Sequence, residues 1–91
     1  MVLNAADKEP VVGVGVSLYD IEFNRLVQRR VSDEKGRFQL VVPPGKYKLD
    51  VALAGWVVDT SKDGFKGEVI AVAGKEKKSK VVRVKVWMKG G

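Results

Sequence analysis

The chain is read as an all-β antiparallel sandwich or barrel of six or seven short strands, and three observations predict it. Apolar residues alternate with polar ones at period two in several short runs, turn-forming residues recur about every ten positions, and no stretch carries a convincing helical period. At 91 residues there is room for one hydrophobic core, so residues 1–91 are taken as a single domain of the kind excised from a larger protein.

Met1 to Leu3 is a short apolar start, and Asn4 to Pro10 a polar turn beside which a brief edge strand is plausible. Val12 to Asp20 alternates well: Val12, Val14, Val16 and Leu18 are placed inward, and Gly13, Gly15, Ser17 and Tyr19 outward. Glycine weakens a strand, so the two outward glycines imply a close backbone approach or a bulge. Asp20 to Asn24 is a loop carrying Ile21 and Phe23. Leu26 to Ser32 follows as a strand with Val27 and Val31 inward, and its Gln28-Arg29-Arg30 centre suggests a sheet edge or a solvated face.

The firmest stretch runs from Val31 to Trp56. In Arg37 to Val42, Phe38, Leu40 and Val42 share one face. In Lys46 to Ala54, Tyr47, Leu49, Val51 and Leu53 share one face while Lys46, Lys48, Asp50 and Ala52 share the other. Asp33-Glu34-Lys35-Gly36 is a turn opened by Asp33, and Pro43-Pro44-Gly45 is read as a reversal joining neighbouring antiparallel strands. Gly55-Trp56 closes the second of these strands, and Val57-Val58 lead into the turn Asp59 to Gly64. Glu68 to Val72 is a short strand, Ala73 to Lys80 a basic loop, and Val81 to Met88 the last strand, with Val82, Val84, Val86 and Met88 on one face and Arg83, Lys85 and Trp87 on the other.

The order Pro10-Val-Val-Gly-Val-Gly-Val-Ser-Leu, Val31-Ser-Asp-Glu-Lys-Gly-Arg-Phe, Pro43-Pro-Gly-Lys-Tyr-Lys-Leu-Asp-Val and Gly55-Trp56 resembles the carboxypeptidase regulatory-like domains over roughly residues 9 to 56. Ser32 stands where that family usually has threonine, and Trp56 where it has tyrosine or phenylalanine. The resemblance implies a seven-stranded antiparallel Greek-key β-sandwich of the prealbumin (transthyretin-like) type. It also implies an accessory module of secreted or cell-surface proteins, with an extracellular or surface location as part of a larger chain. The enzymatic relative of transthyretin, hydroxyisourate hydrolase, depends on histidines, and this sequence has none. The related collagen-adhesin B-type domains close a lysine-to-asparagine isopeptide bond, but Val81 to Met88 holds neither asparagine nor aspartate for it.

Without cysteine there is no disulfide and no thiolate zinc site, and without histidine the commonest general base and neutral metal ligand are missing. No apolar run approaches the roughly 18 residues that span a bilayer. Net charge is +6. Met1 to Trp56 carries eight basic and seven acidic side chains and Val57 to Gly91 nine and four, so the surplus is C-terminal. Most of it lies in Lys75-Glu76-Lys77-Lys78-Ser79-Lys80, which reads first as a solvated loop and second as a contact for an anionic partner.

Asp59, Ser61 and Asp63 match the opening of a calcium loop, but the twelfth position is Ile70 and Glu68 falls two places early, so an ordinary turn is the better reading. Gly13-Val14-Gly15 precedes no helix and is a strand feature rather than a phosphate loop. Phe38, Tyr47 and Trp56 fit the buried set. Tyr19 and Trp87 fall on polar faces, where an exposed aromatic pair beside Arg83 and Lys85 suits stacking on a sugar. The candidate ligand surface is therefore Tyr19, Trp87, Lys75, Lys77, Lys78 and Lys80. The expected role is a non-catalytic spacer or interaction module, with neighbouring domains or another protein as partners and no cofactor. The alternative is an accessory domain for a carbohydrate or polyanion. Nucleic acid is not expected, because one aromatic beside a basic loop is not the interleaved pattern of an oligonucleotide-binding barrel.

Overall fold

In the computed structural model, which describes residues 1–74 and 79–90, the chain is all-β and its sheets are compatible with a β-sandwich. Nine short strands are formed among the described residues: β1 (Val2–Asn4), β2 (Gly15–Asp20), β3 (Arg25–Val31), β4 (Leu40–Val42), β5 (Gly45–Ala52), β6 (Trp56–Val58), β7 (Ile70–Val72), β8 (Lys80–Val82) and β9 (Val86–Gly90). They make a four-stranded sheet in the order β3-β2-β5-β7, a three-stranded sheet β1-β9-β6 and a two-stranded sheet β4-β8. Every pairing is antiparallel except β1 with β9, which is parallel.

The core draws on all three sheets. Val2, Val14, Val16, Leu18, Leu40, Val42, Val86 and Met88 are completely buried, each contributing roughly 1.5–3 kcal/mol by leaving water. Tyr47 and Leu49 join them, with Phe38, Val51 and Leu53 half-buried against the cluster. Lys48 and Asp50 face solvent, so the alternation assigned to β5 has the correct phase.

The expected strand from Val12 begins only at Gly15, and Val12 is exposed rather than inward. Gly13, at φ +80°, turns the chain so that Val11 and Val14 are the buried pair. Ser32 stitches this segment: its backbone bonds Gly13 and Val14, and its buried Oγ accepts from the Val14 N–H at 2.9 Å and donates to the Val11 carbonyl at 2.8 Å.

The edge position expected for β3 is found, but Val27 and Val31 are exposed, not inward. The register explains this. Val16 and Leu18 of β2 stand opposite Arg30 and Gln28, which therefore share the inner face of the sheet, and the bulge at Leu18/Tyr19 displaces Val27 from the row. Gln28 then acts as a short surrogate strand. Its Nε2 donates to the Val41 carbonyl at 2.8 Å and its Oε1 accepts from the Val41 N–H at 2.9 Å, tying β3 to β4 across the open side.

Pro43-Pro44 does not join paired neighbours: β4 pairs with β8, and β5 with β2 and β7. Lacking N–H groups, the two prolines cannot extend a ladder, and the segment carries the chain from one sheet to another. Tyr47 fixes the crossing by donating its hydroxyl to the Pro43 carbonyl at 2.6 Å. The next crossing is a turn in which Trp56 N–H donates to the Leu53 carbonyl at 3.0 Å, with Gly55 at φ +81°; Trp56 therefore opens β6 instead of closing β5. The expected last strand, Val81 to Met88, divides into β8 and β9 around 83–85, and Arg37 to Gln39 lies outside β4.

Candidate functional site

The outer face of the four-stranded sheet carries an open trough of about 720 Å³. The register sets the rows of this face: Val31, Gly15 and Ala52 lie across three strands, then Arg29, Ser17 and Asp50, and Tyr19 follows from the next row, whose Leu26 and Lys48 stand outside the trough. The floor is built from small residues, and Tyr19 and Trp56 are among the lining. A Cβ on Gly15 would sit 3.5 Å from the Ala52 carbonyl oxygen and 3.7 Å from the Arg29 guanidinium. Both are ordinary contact distances, so neither a close backbone approach nor a bulge at the glycine demands it; its effect is to keep the trough open.

Of the sequence candidates among the described residues, only Tyr19 lines this trough. Trp87 is on β9 in the three-stranded sheet and is 9% exposed, which corrects its assignment to a solvated face. The covering comes from the segment after β6: Asp59 N–H donates to the Trp87 carbonyl at 2.7 Å, and Lys62 Nζ lies 5.5 Å from the ring centroid. Lys85 Nζ lies over the same ring at 4.8 Å, so two cations accompany an indole that is already almost wholly buried and offers little surface to a sugar. Lys80 is exposed and pairs through its backbone with Val42 on β4. Lys75, Lys77 and Lys78 lie outside the described residues. Trp56, expected in the buried set, is half-exposed and lines the trough with Arg29 and Asp50. The outward parity of Asp50 and Ala52 was readable from the alternation of β5.

The carboxylates that stand out in the sequence serve turns. Asp33 Oδ1 accepts from the Arg37 N–H at 2.8 Å and the Lys35 N–H at 2.9 Å, and the Arg37 bond foremost holds its pKa below the usual carboxylate value. Asp59 accepts from the hydroxyl and the N–H of Ser61, which lower its pKa in the same way. Glu68 is lowered by its own N–H and by that of Lys66. Among the described residues there is no group of three or more acidic side chains placed to hold a metal, and Asp59 is already engaged by Ser61. Burial raises the Tyr47 hydroxyl pKa, with the nearby Asp20 charge adding to it.

No family model, no curated protein and no solved structure matches the chain. The functional reading therefore rests on the residues themselves.

A second groove, of about 870 Å³, lies between residues 37–39 and 83–85, lined by Leu3, Phe38, Val81 and Val84 together with Arg37, Arg83 and Lys85. The groove itself was not expected, because its two lining segments were read as continuous strand; Arg83 and Lys85 entered the sequence reading only as neighbours of Trp87, and Asp33 as a turn residue. No helix of the described residues is long and apolar enough to cross a membrane.

Proposed function

We propose that the chain is a non-catalytic accessory module, a spacer or interaction domain of a secreted or cell-surface protein, of the seven-stranded prealbumin-like type that its resemblance implies. The observation that carries this reading is that its reactive groups are consumed by the fold. Asp33, Asp59 and Glu68 hold turns, the Ser32 and Tyr47 hydroxyls hold irregular backbone, and among the described residues no buried side-chain polar atom lacks a hydrogen-bond partner. A general base works best with a pKa near the working pH, and the turn N–H groups move these carboxylates further from it. The test is a screen against chromogenic esters, phosphates, glycosides and peptides, with intact mass measured in parallel. The expected results are no turnover above buffer and a mass equal to the sequence mass; turnover abolished by a single substitution overturns the reading.

A second reading, a carbohydrate-binding accessory domain, is favoured by the trough, where Tyr19 and Trp56 accompany the hydrogen-bonding groups of Ser17, Arg29 and Asp50. Titration with neutral oligosaccharides tests it. Saturable binding lost in both Tyr19→Ala and Trp56→Ala supports it, and no binding removes it.

A further inference from the structure

The groove between 37–39 and 83–85 is a parted β-ladder. Leu40, Val41 and Val42 stand opposite Val82, Val81 and Lys80, so continuing that register brings Gln39 opposite Arg83, Phe38 opposite Val84 and Arg37 opposite Lys85. These six residues are the two walls of the groove. Because the Val41 N–H and carbonyl are both taken by Gln28, the rung that binds β8 is Leu40 with Val82, and the next bonded rung would be Phe38 with Val84. It is not made. The Val84 carbonyl instead accepts from the Met1 ammonium, and the amides of Phe38 and Val84 meet no acceptor among the described residues.

The far end of the fork already holds a strand. Val2 N–H donates to the Gly36 carbonyl at 2.6 Å and Val86 N–H to the Met1 carbonyl at 2.8 Å, so β1 lies between the two parted segments. Between the end of β1 and the Leu40–Val82 rung remains a bay with free backbone donors, an apolar floor from Leu3, Phe38, Val81 and Val84, and a cationic rim of Arg37, Arg83 and Lys85 against one acid among the described residues, Asp33. At about 870 Å³ it falls within the roughly 300–1,000 Å³ of ordinary ligand pockets.

We propose that this bay is an acceptor site for a short extended segment of another polypeptide in which apolar and acidic residues alternate. Its backbone carbonyls take the Phe38 and Val84 amides, as in strand addition to an open edge. Its apolar side chains meet the floor, and its carboxylates meet Arg37, Arg83 and Lys85. A second copy of this chain is disfavoured as occupant by the net charge of +6 on each. The inference rests on the reading of the chain as an interaction module, and names the surface.

The probe is the blocked peptide acetyl-Glu-Val-Glu-Val-Glu-amide, titrated into isotope-labelled protein and followed by amide shifts and hydrogen exchange. We expect saturable shifts centred on 37–39 and 83–85, with new exchange protection at Phe38 and Val84. Arg37→Glu and Arg83→Glu each weaken binding about tenfold, whereas Lys48→Glu, on the outer face of the other sheet, changes it less than about twofold. Circular dichroism and the urea midpoint verify that each variant is folded; two independent rim variants keep the test informative if one is not. The proposal is overturned if the free protein shows Phe38–Val84 cross-strand contacts and slow exchange there, meaning that the ladder closes by itself. It is also overturned if sodium sulfate produces the same shifts and protection as the peptide, if Lys48→Glu weakens binding as much as the rim variants, or if no saturable binding occurs. The turnover screen is independent of all these outcomes, so the site can fail while the module reading stands.

Discussion

Ser32 sits between Val11 and Val14, where the chain has left one ladder and not yet entered the next, and its hydroxyl satisfies a donor on one side and an acceptor on the other. Ser32→Ala leaves both backbone groups buried without a partner, which costs about 1–3 kcal/mol. Ser17→Ala, on the solvated face of β2, changes stability by less than about 0.5 kcal/mol. Urea midpoints at unchanged slope measure both, and equal effects in the two variants would remove the stitching role given to Ser32. Tyr47 is the parallel case: its hydroxyl bond to Pro43 is local, but the ring is 3% exposed in the core, so Tyr47→Phe keeps the packing and loses about 0.5–1.5 kcal/mol while Tyr47→Ala loses several times that. Trp87 shows where single residues were not legible. Its parity along β9 was read correctly as opposite to Val86 and Met88, yet it is buried all the same, because Lys62 and the backbone of Asp59 arrive from a loop some 25 residues earlier, and alternation along a strand reports nothing about what another segment lays over it.

At the scale of elements, alternation specified facing and not partnership. Lys46 to Ala54 was readable in its facing because β5 is central in its sheet and one of its faces is covered, fully at Tyr47 and Leu49 and in part at Val51. Arg37 to Val42 and Val81 to Met88 alternate equally well, yet each is strand over only part of its length, since the β1 wedge enters the ladder they would share. The edge strand β3 misled in the other direction: its valines have the right spacing for a buried row, but at the edge the inner positions fall to Gln28 and Arg30, which reach across to β4 or solvent. The trough had the same fate in part: Tyr19, Asp50 and Ala52 were legible on the outer face, while Trp56 needed the turn at Gly55 to bring it there. Gly36 anchors the wedge, and a prediction belongs to it. At φ +69°, a Cβ there would clash with the Val2 carbonyl oxygen and stand 3.0 Å from Pro10 Cβ. Gly55, at φ +81°, has nothing within 4 Å. Gly55→Ala therefore costs only the left-handed conformation, roughly 1–2 kcal/mol. Gly36→Ala adds a backbone clash and must displace β1, so it should cost more and also speed amide exchange at Val2 and Val86. Equal costs with unchanged exchange would show that β1 is not wedged against Gly36.

For the molecule as a whole, charge and pH act together. Asp33, Asp59 and Glu68 all have pKa values lowered in the fold from ordinary values of 3.8, 3.8 and 4.5 by turn N–H groups and, for Asp59, by a hydroxyl. A lowered folded-state pKa means that the unfolded chain takes up the proton first as pH falls. The stabilisation is thus complete above about pH 5 and declines below the unfolded values, disappearing as the folded pKa values are passed; between pH 5 and 8 there is no histidine to titrate, but burial lowers the Met1 ammonium from its ordinary 8.0, so the unfolded chain takes up that proton first and some stability is lost as pH falls from 8. A second effect runs the same way: acid neutralises the 11 acidic side chains while 17 basic ones remain, so self-repulsion grows as the carboxylates protonate. Salt separates the two. Long-range repulsion is screened at an ionic strength of about 0.5 M, whereas hydrogen bonds from turn N–H groups to a carboxylate a few ångströms away are screened much less. With the Met1 amine acetylated, so that it no longer titrates, urea midpoints should be level from pH 8 to pH 5 and fall between pH 4.5 and 2.5. Added salt should restore part of that fall, and the remainder should shrink in the double variant Asp33→Asn, Asp59→Asn, whose turns no longer depend on ionisation. A midpoint that falls already between pH 8 and 6, or an acid loss in high salt that is identical in the double variant and the parent chain, would assign the pH response to groups other than these turn carboxylates.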